Sequence, residues 1–114
     1  FKRDDIFDLT AYAAQQGLPV AISPSGTPLL NSKNLERLKD AGCKAISLSL
    51  DASTAAAHDA FRGVPGSYEW TVNGWKTACE IGLKLQKTGY LQNKLDTLIK
   101  TDTLVYPLGY FVNK

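Results

Sequence analysis

The chain has 114 residues, of which 44% are hydrophobic and 21% charged, a composition typical of one globular domain with its own core. Its 13 Lys and Arg are interleaved with 11 Asp and Glu for a net charge of +2, which excludes the basic stripe of a nucleic-acid-binding protein. No apolar run approaches the roughly 20 residues that span a bilayer, and no signal-peptide pattern opens the chain, so we expect neither a membrane nor a nucleic-acid partner.

The first predicted helix begins at two carboxylates, Asp4 and Asp5, which the positive end of a helix dipole favours. Leu9 lies on the face that we expect to be buried. Gly17 is placed to end the helix in a left-handed conformation, and residues 20–23 form the first strand. Helix, glycine and strand in this order make up the first structural unit.

A second unit follows the same plan. Asn31 is a good capping residue for its helix, Gly42 ends that helix, and residues 45–50 form the second strand. A third helical pattern then begins near Ser53 and fades around Phe61.

The last unit begins after a loop at residues 62–66, which two glycines and a proline indicate. Ser67 is predicted to cap a longer helix, Gly82 to end it, and residues 83–86 to form the third strand. Strands that alternate with helices of this length predict parallel βα units with right-handed crossovers, in an α/β fold. A doubly wound sheet and a barrel both satisfy that order.

The strands themselves favour the barrel. A parallel strand covered by helices on both faces should be almost continuously apolar. Instead, Ile46 and Leu48 alternate with Ser47 and Ser49, and Ile22 alternates with small or polar neighbours. We therefore expect one face to pack on helices and the other to line a wet interior that holds a ligand, as in an open or partial barrel.

Three stretches, in this order and on these elements, resemble the middle of a radical S-adenosylmethionine (SAM) enzyme: ISPSGT at 22–27, ISLSLD at 46–51 and HDAFRGVPGS at 58–67. More narrowly, they resemble the branch with an additional C-terminal iron–sulfur domain of the SPASM type. The resemblance covers residues 1–86 and implies the third to fifth strands, with their helices, of a (β/α)6 partial TIM barrel. Residues 87–114 diverge from the family and have no assigned origin.

The resemblance also implies an activity. Enzymes of this family are oxidoreductases in which a [4Fe-4S] cluster on a three-cysteine loop reduces SAM to a 5′-deoxyadenosyl radical. That radical abstracts hydrogen from a small-molecule or peptide substrate during peptide or cofactor maturation. The chain contains no Met and starts at Phe1 within a helical pattern, so we expect it to be a fragment of a longer cytoplasmic enzyme. Because the cysteine loop is missing, we expect the fragment alone to be inactive and to hold neither cofactor stably.

Five residues of this chain fall where the resemblance implies contacts with SAM. Ser23 and Ser25 follow the family's third strand, although Pro24 departs from the family's turn, and Ser49 and Asp51 end the fourth strand. The fifth is Arg62, in an arginine–glycine loop. Each residue has a structural alternative. A serine at a strand end is commonly a turn residue, Asp51 could cap the next helix, and a loop arginine commonly binds carbonyls or carboxylates.

Three further residues are predicted to lie outside the site. Cys43 and Cys79 are too far apart in sequence for a metal motif, and two such thiols are typical of buried residues in a reducing, cytosolic protein. His58 lies beside Asp59 with no second ligand at metal spacing, so we expect a surface or packing residue and no metal site.

A second hypothesis comes from a different functional class. The chain could be a stand-alone βα domain without redox chemistry that binds a nucleotide-like ligand or a protein partner. Exposed sheet edges would allow self-association under either hypothesis. A three-cysteine loop encoded upstream of Phe1 distinguishes the two, because only the radical SAM hypothesis requires it.

Overall fold

The chain folds around a three-stranded sheet, and the computed structural model describes the backbone of residues 1–88 and the side chains of residues 1–85. Helices and strands alternate, except that two helices separate the last two strands. The elements are α1 (Ile6–Gln15), β1 (Val20–Ile22), α2 (Ser32–Asp40), β2 (Cys43–Ser49), α3 (Ala55–Arg62), α4 (Ser67–Glu80) and β3 (Lys84–Thr88). The segment predicted to diverge at residues 87–114 lies, beyond residue 88, outside the described part of the chain.

The three strands are parallel and lie side by side in chain order, β1-β2-β3. Ile22 of β1 pairs with Ile46 of β2, which in turn pairs with Leu85 of β3. Sequential neighbours of this kind are what a segment of a βα barrel requires. The predicted α/β fold class with parallel βα units is therefore confirmed.

Glycines end the helices as the sequence predicts. Gly17 and Gly82 follow α1 and α4 with φ of 78° and 80°, a conformation that costs glycine little because it has no Cβ. After α1, the Gly17 amide donates to the Ala14 carbonyl and the Leu18 amide to the Ala13 carbonyl, at 3.0 and 3.1 Å. This pair of hydrogen bonds is the Schellman motif, which satisfies carbonyls left open by the helix.

The helix starts agree with the sequence in one case and correct it in another. Asn31 caps α2, since its side-chain oxygen accepts a hydrogen bond from the Asn34 amide at 3.0 Å. Ser67, however, does not cap α4. The cap position belongs to Gly66, and Ser67 is buried with its hydroxyl against His58. That inward hydrogen bond takes the hydroxyl away from the helix end.

The hydrophobic core lies between the helices and one face of the sheet. Its aliphatic and aromatic side chains come from α2, α4, the three strands and the residues next to them, and include Leu35, Leu38, Ile46, Leu48, Trp75, Ala78 and Leu85. The apolar face predicted from the strand alternation is thus the face that packs on helices.

In α1 the prediction for Leu9 is wrong: Leu9 is 45% exposed, whereas Thr10 is buried and donates a hydrogen bond to the Ile6 carbonyl. Among the described residues, no helix is long and apolar enough to cross a membrane.

Candidate functional site

A cavity of about 360 Å³ opens where β1 and β2 end. Three segments line it: the loop after β1, the end of β2, and the region where α3 passes into α4. The lining residues are Ser23, Pro24, Ser25, Gly26, Thr27, Ser47, Leu48, Ser49, His58, Arg62, Val64, Ser67 and Thr71. Its volume falls within the range of about 300–1,000 Å³ that is usual for small-molecule sites. Seven of the lining residues carry hydroxyl groups, so the cavity suits a polar ligand.

The structure brings the predicted site residues together at this cavity. Ser23, Ser25, Ser49 and Arg62 line it. Asp51 is not among the lining residues, but its carboxylate forms an ion pair with the Arg62 guanidinium. The five residues therefore share one end of the sheet, and their role as SAM contacts stays a prediction.

Arg62 and Asp51 hold one another at the edge of the cavity. Nε of Arg62 donates to Oδ2 of Asp51, whose side chain is 18% exposed, while the Arg62 side chain is 43% exposed. A guanidinium carries five N–H donors, so a bond through Nε leaves its terminal amino groups for other acceptors. Thr54 accepts from the Ala57 amide and caps α3, which excludes the alternative that Asp51 caps this helix.

His58 lies in the cavity wall, although its sequence context predicts a residue outside the site. Its side chain is 1% exposed and lines the cavity, so the prediction of a residue outside the site is wrong. Nδ1 accepts a hydrogen bond from the Asp51 amide at 3.0 Å. Nδ1 is therefore unprotonated, and Nε2, 3.2 Å from Oγ of Ser67, carries the hydrogen and donates it to that hydroxyl. The ring of Tyr68 packs edge-on against the imidazole, with 5.8 Å between the ring centroids.

The next residue, Asp59, fixes the start of α4. Its two carboxylate oxygens accept hydrogen bonds from the backbone amides of Tyr68 and Gly66, at 2.8 and 2.9 Å. Hydrogen bonds to the charged form stabilise it, so these amides, that of Tyr68 first, hold the pKa of Asp59 below its ordinary value. Neighbouring residues of α3 thus anchor both the end of β2 and the first turn of α4.

The loop after β1 packs against α4 through Gly26. The Thr71 hydroxyl donates to the Ser67 carbonyl at 2.8 Å, and a Cβ at position 26 would overlap that hydroxyl. Only glycine lets the loop come this near, and the contact closes the cavity between the loop and α4. Ser67 and Thr71 lie one turn apart on α4, a spacing that offered a signal for this polar face.

The two cysteines lie away from the cavity, as predicted. Both are buried free thiols that do not line it. Burial raises the pKa of Cys43, whose thiol donates to the Ala45 carbonyl at 3.2 Å. Burial, and next the charge of Glu80, raises the pKa of Cys79 to about 11. No group of three or more His, Cys, Asp or Glu within the described residues could hold a metal ion.

Comparison with known proteins gives one family. The sequence profile of the Radical SAM superfamily matches residues 2–93. An AdoMet-dependent heme synthase of Nitratidesulfovibrio vulgaris is 40% identical over 84 residues, which cover 74% of this chain and 23% of that protein. An AdoMet-dependent heme synthase of Methanosarcina barkeri is 34% identical over 108 residues, 94% of this chain and 31% of the relative. A Pre-heme d1 synthase of Dinoroseobacter shibae is 32% identical over 102 residues, 86% and 25% of the two chains. The chain spans less than a third of the length of each of these relatives.

Proposed function

The chain belongs to the radical SAM superfamily, and from that premise we propose that it supplies part of the SAM-binding wall of a larger oxidoreductase. The single observation that carries the proposal is the hydroxyl-lined cavity at the ends of β1 and β2. Enzymes built on βα barrels place their chemistry at this end of the strands, where side chains from several units converge.

The residues present suit the polar groups of SAM. Ser23, Ser25 and Ser49 carry hydroxyls that both donate and accept, which matches ribose hydroxyls and a carboxylate. Arg62 offers terminal amino groups to a carboxylate, and its bond to Asp51 holds the guanidinium in place. When bound in such enzymes, SAM supplies the 5′-deoxyadenosyl group that abstracts hydrogen from the substrate. This chain's residues would bind and orient it in the cavity that α3 and α4 help to line.

The iron–sulfur cluster needs ligands of a different kind. A cluster takes several cysteine thiolates held close together. Cys43 and Cys79 are buried, and a pKa of about 11 keeps the Cys79 thiol protonated near neutral pH. The residues described here do not fit a [4Fe-4S] cluster, so we propose that its cysteine ligands belong to another part of the parent enzyme.

The names of the relatives support a proposal for the substrate class. The three relatives described above are named for the synthesis of heme or of a heme precursor. We therefore propose that the parent enzyme matures a tetrapyrrole-type cofactor, in preference to a peptide. We also propose that it acts in the cytoplasm, because two buried free thiols are typical of a reducing compartment.

Nuclear magnetic resonance titration of the 114-residue chain with SAM tests the proposal. Because this chain forms only part of the site, we expect weak binding that shifts the amide signals of Ser23 and of residues 25–27 and 47–49 and leaves those of α1 unchanged. S-adenosylhomocysteine should shift the same signals, whereas ATP should not. Equal responses to ATP and SAM would favour the nucleotide-binding alternative, and no response to millimolar SAM would contradict the proposed site.

A further inference from the structure

Asp51 is held at both its backbone and its side chain by one face of α3. The Asp51 amide donates to Nδ1 of His58 at 3.0 Å, and the Asp51 carboxylate accepts from Nε of Arg62. His58 and Arg62 are four residues apart in α3, so they project from the same side of the helix, one turn from each other. One face of α3 thus fixes the position of Asp51, which lies two residues after β2.

His58 also reaches a third element. Its Nε2 donates to Oγ of Ser67, the first residue of α4, at 3.2 Å. The imidazole therefore joins the segment after β2 to the start of α4, across the loop at residues 63–66. Both ring nitrogens have partners, and the side chain is 1% exposed, so a buried polar group is fully satisfied in this position.

We propose that His58 is a positioning residue of the cavity, which fixes Asp51, and through it Arg62, in the arrangement that contacts the ligand. This inference rests on the function proposed for the same cavity. A rigid site needs side chains locked by neighbouring hydrogen bonds, and His58 supplies one to each of the two segments that Arg62 lies between. Its role is indirect, because it acts on the ligand through Asp51 and Arg62.

The chemistry of the two ring nitrogens suggests a matched pair of variants. In His58→Asn the side-chain oxygen occupies nearly the position of Nδ1 and can accept from the Asp51 amide, but the side chain is too short to reach Ser67. In His58→Gln the amide nitrogen occupies nearly the position of Nε2 and can donate to Ser67, but no acceptor faces Asp51. Each variant loses one hydrogen bond and keeps the other, so similar losses of stability are expected from both.

The first test needs no ligand. Hydrogen exchange of the Asp51 amide, measured in the 114-residue chain, should speed up at least tenfold in His58→Gln and much less in His58→Asn. The Nε–H of Arg62 should exchange faster in His58→Gln as well, because its acceptor is no longer fixed. Ser67→Ala, which removes only the other partner of the imidazole, should resemble His58→Asn. Ala60→Gln, on the exposed side of α3, is the control that should change neither signal.

The second test adds SAM, followed by the titration described above. We expect His58→Gln to weaken binding at least tenfold more than His58→Asn, with similar melting temperatures for the two. Equal weakening in both variants, or unchanged Asp51 exchange in His58→Gln, would overturn the positioning role. If His58→Gln does not fold, exchange of the Asp51 amide in the wild-type chain decides instead: exchange that occurs only through global unfolding supports the positioning role, and exchange as fast as that of an exposed loop amide would overturn it.

The two proposals fail in different ways. If the wild-type chain does not respond to SAM, the proposed function is wrong, whereas the exchange of the Asp51 amide and the Arg62 Nε–H still decides whether His58 positions them. If SAM binds normally while both exchange rates are unchanged in His58→Gln, the positioning role is wrong and the proposed function stands.

Discussion

Gly26 lies so close to Thr71 that a side-chain carbon at Gly26 would overlap the Thr71 hydroxyl. The same carbon would lie 3.1 Å from the carbonyl oxygen of Ser67. The loop after β1 and the second turn of α4 are therefore in direct contact, and their separation sets the width of the cavity between them.

Substitution of Gly26 tests how tightly this contact is packed. We expect Gly26→Ala to lower the free energy of unfolding by about 1–3 kcal/mol, the usual cost of inserting a methyl group into a filled space. Urea denaturation of the 114-residue chain measures the change. Thr71→Ala removes the overlapping hydroxyl, so the double variant should lose less stability than the sum of the two single variants. Strict additivity would mean that the Thr71 hydroxyl contributes nothing to the cost of the methyl group at position 26.

Removal of the Ser49 hydroxyl tests the ligand contact at the end of β2. If Ser49 binds SAM, Ser49→Ala should weaken binding by about 0.5–1.5 kcal/mol, the net value of one hydrogen bond, or roughly two- to twelvefold in Kd. The titration with SAM measures the Kd. Thermal unfolding is the control, because a serine that serves only the turn would lower stability without changing the affinity of the folded protein.

Asp51 should matter more than Ser49. Asp51→Ala removes a charged acceptor and also frees Arg62, so we expect binding to weaken by about 1.5–3 kcal/mol. Asp51→Asn keeps the size and one oxygen and should fall between Asp51→Ala and the wild type. If all variants bind SAM as the wild type does, the Arg62–Asp51 pair is a structural ion pair only.

The pH dependence of stability should reveal the contribution of ionised Asp59. The amides of Tyr68 and Gly66 lower the pKa of Asp59 in the folded chain, so its stabilising effect is present above its ordinary pKa of about 4 and is lost as the pH falls through the lower, folded value. We expect melting temperatures to decline below about pH 4, and Asp59→Asn to be less stable at neutral pH with a weaker decline.

Asp5 provides the comparison for this measurement. Its pKa is also lowered, mainly by the hydrogen bond from Arg3, but that pair is exposed and screened by solvent. Asp5→Asn should therefore change the acid dependence less than Asp59→Asn does. If the two substitutions had equal effects, the hydrogen bonds between Asp59 and the amides at the start of α4 would not be important for stability.

The burial of both cysteines leads us to expect that cluster reconstitution will fail. Two buried thiols with raised pKa values are poor ligands, so anaerobic treatment of the 114-residue chain with iron and sulfide should not yield a four-iron cluster. Iron analysis and absorption spectra measure the outcome. A stoichiometric cluster in the monomer would contradict the assignment of the cysteine ligands to another part of the enzyme. Slow reaction of both thiols with an alkylating agent until urea is added would confirm their burial.

The helices, their glycine ends and the packed face of each strand could be predicted from the sequence because each depends on neighbouring residues. Gly17 and Gly82 mark helix ends through a backbone conformation that other residues avoid, and Ile46 and Leu48 mark the packed face through strand alternation. Such features need no knowledge of which elements meet in space. Leu9 shows the limit, because it has the right period for burial but faces away from the core.

The role of His58 could not be predicted for the same reason. A lone histidine on a helix carries no sign of which neighbour it will face, and its partners Asp51 and Ser67 belong to other elements. The spacing of four residues from Arg62 was the available signal, since it places both side chains on one side of α3. Ser67 was assigned as a cap because serines often are, and the tertiary hydrogen bond to His58 overrode that preference.

The order of the strands also determines how the chain can fold. Because β1, β2 and β3 lie side by side in chain order, each strand can pair with its predecessor as soon as the helices between them have formed. Each of these pairings spans at least one helix, as between Ile22 and Ile46 or Ala45 and Lys84, so a long loop must close before the parallel strands can meet, which makes a sheet of this kind slow to form. The cavity takes its walls from the loop after β1, the end of β2 and the start of α4, so it exists only when all three segments have come together.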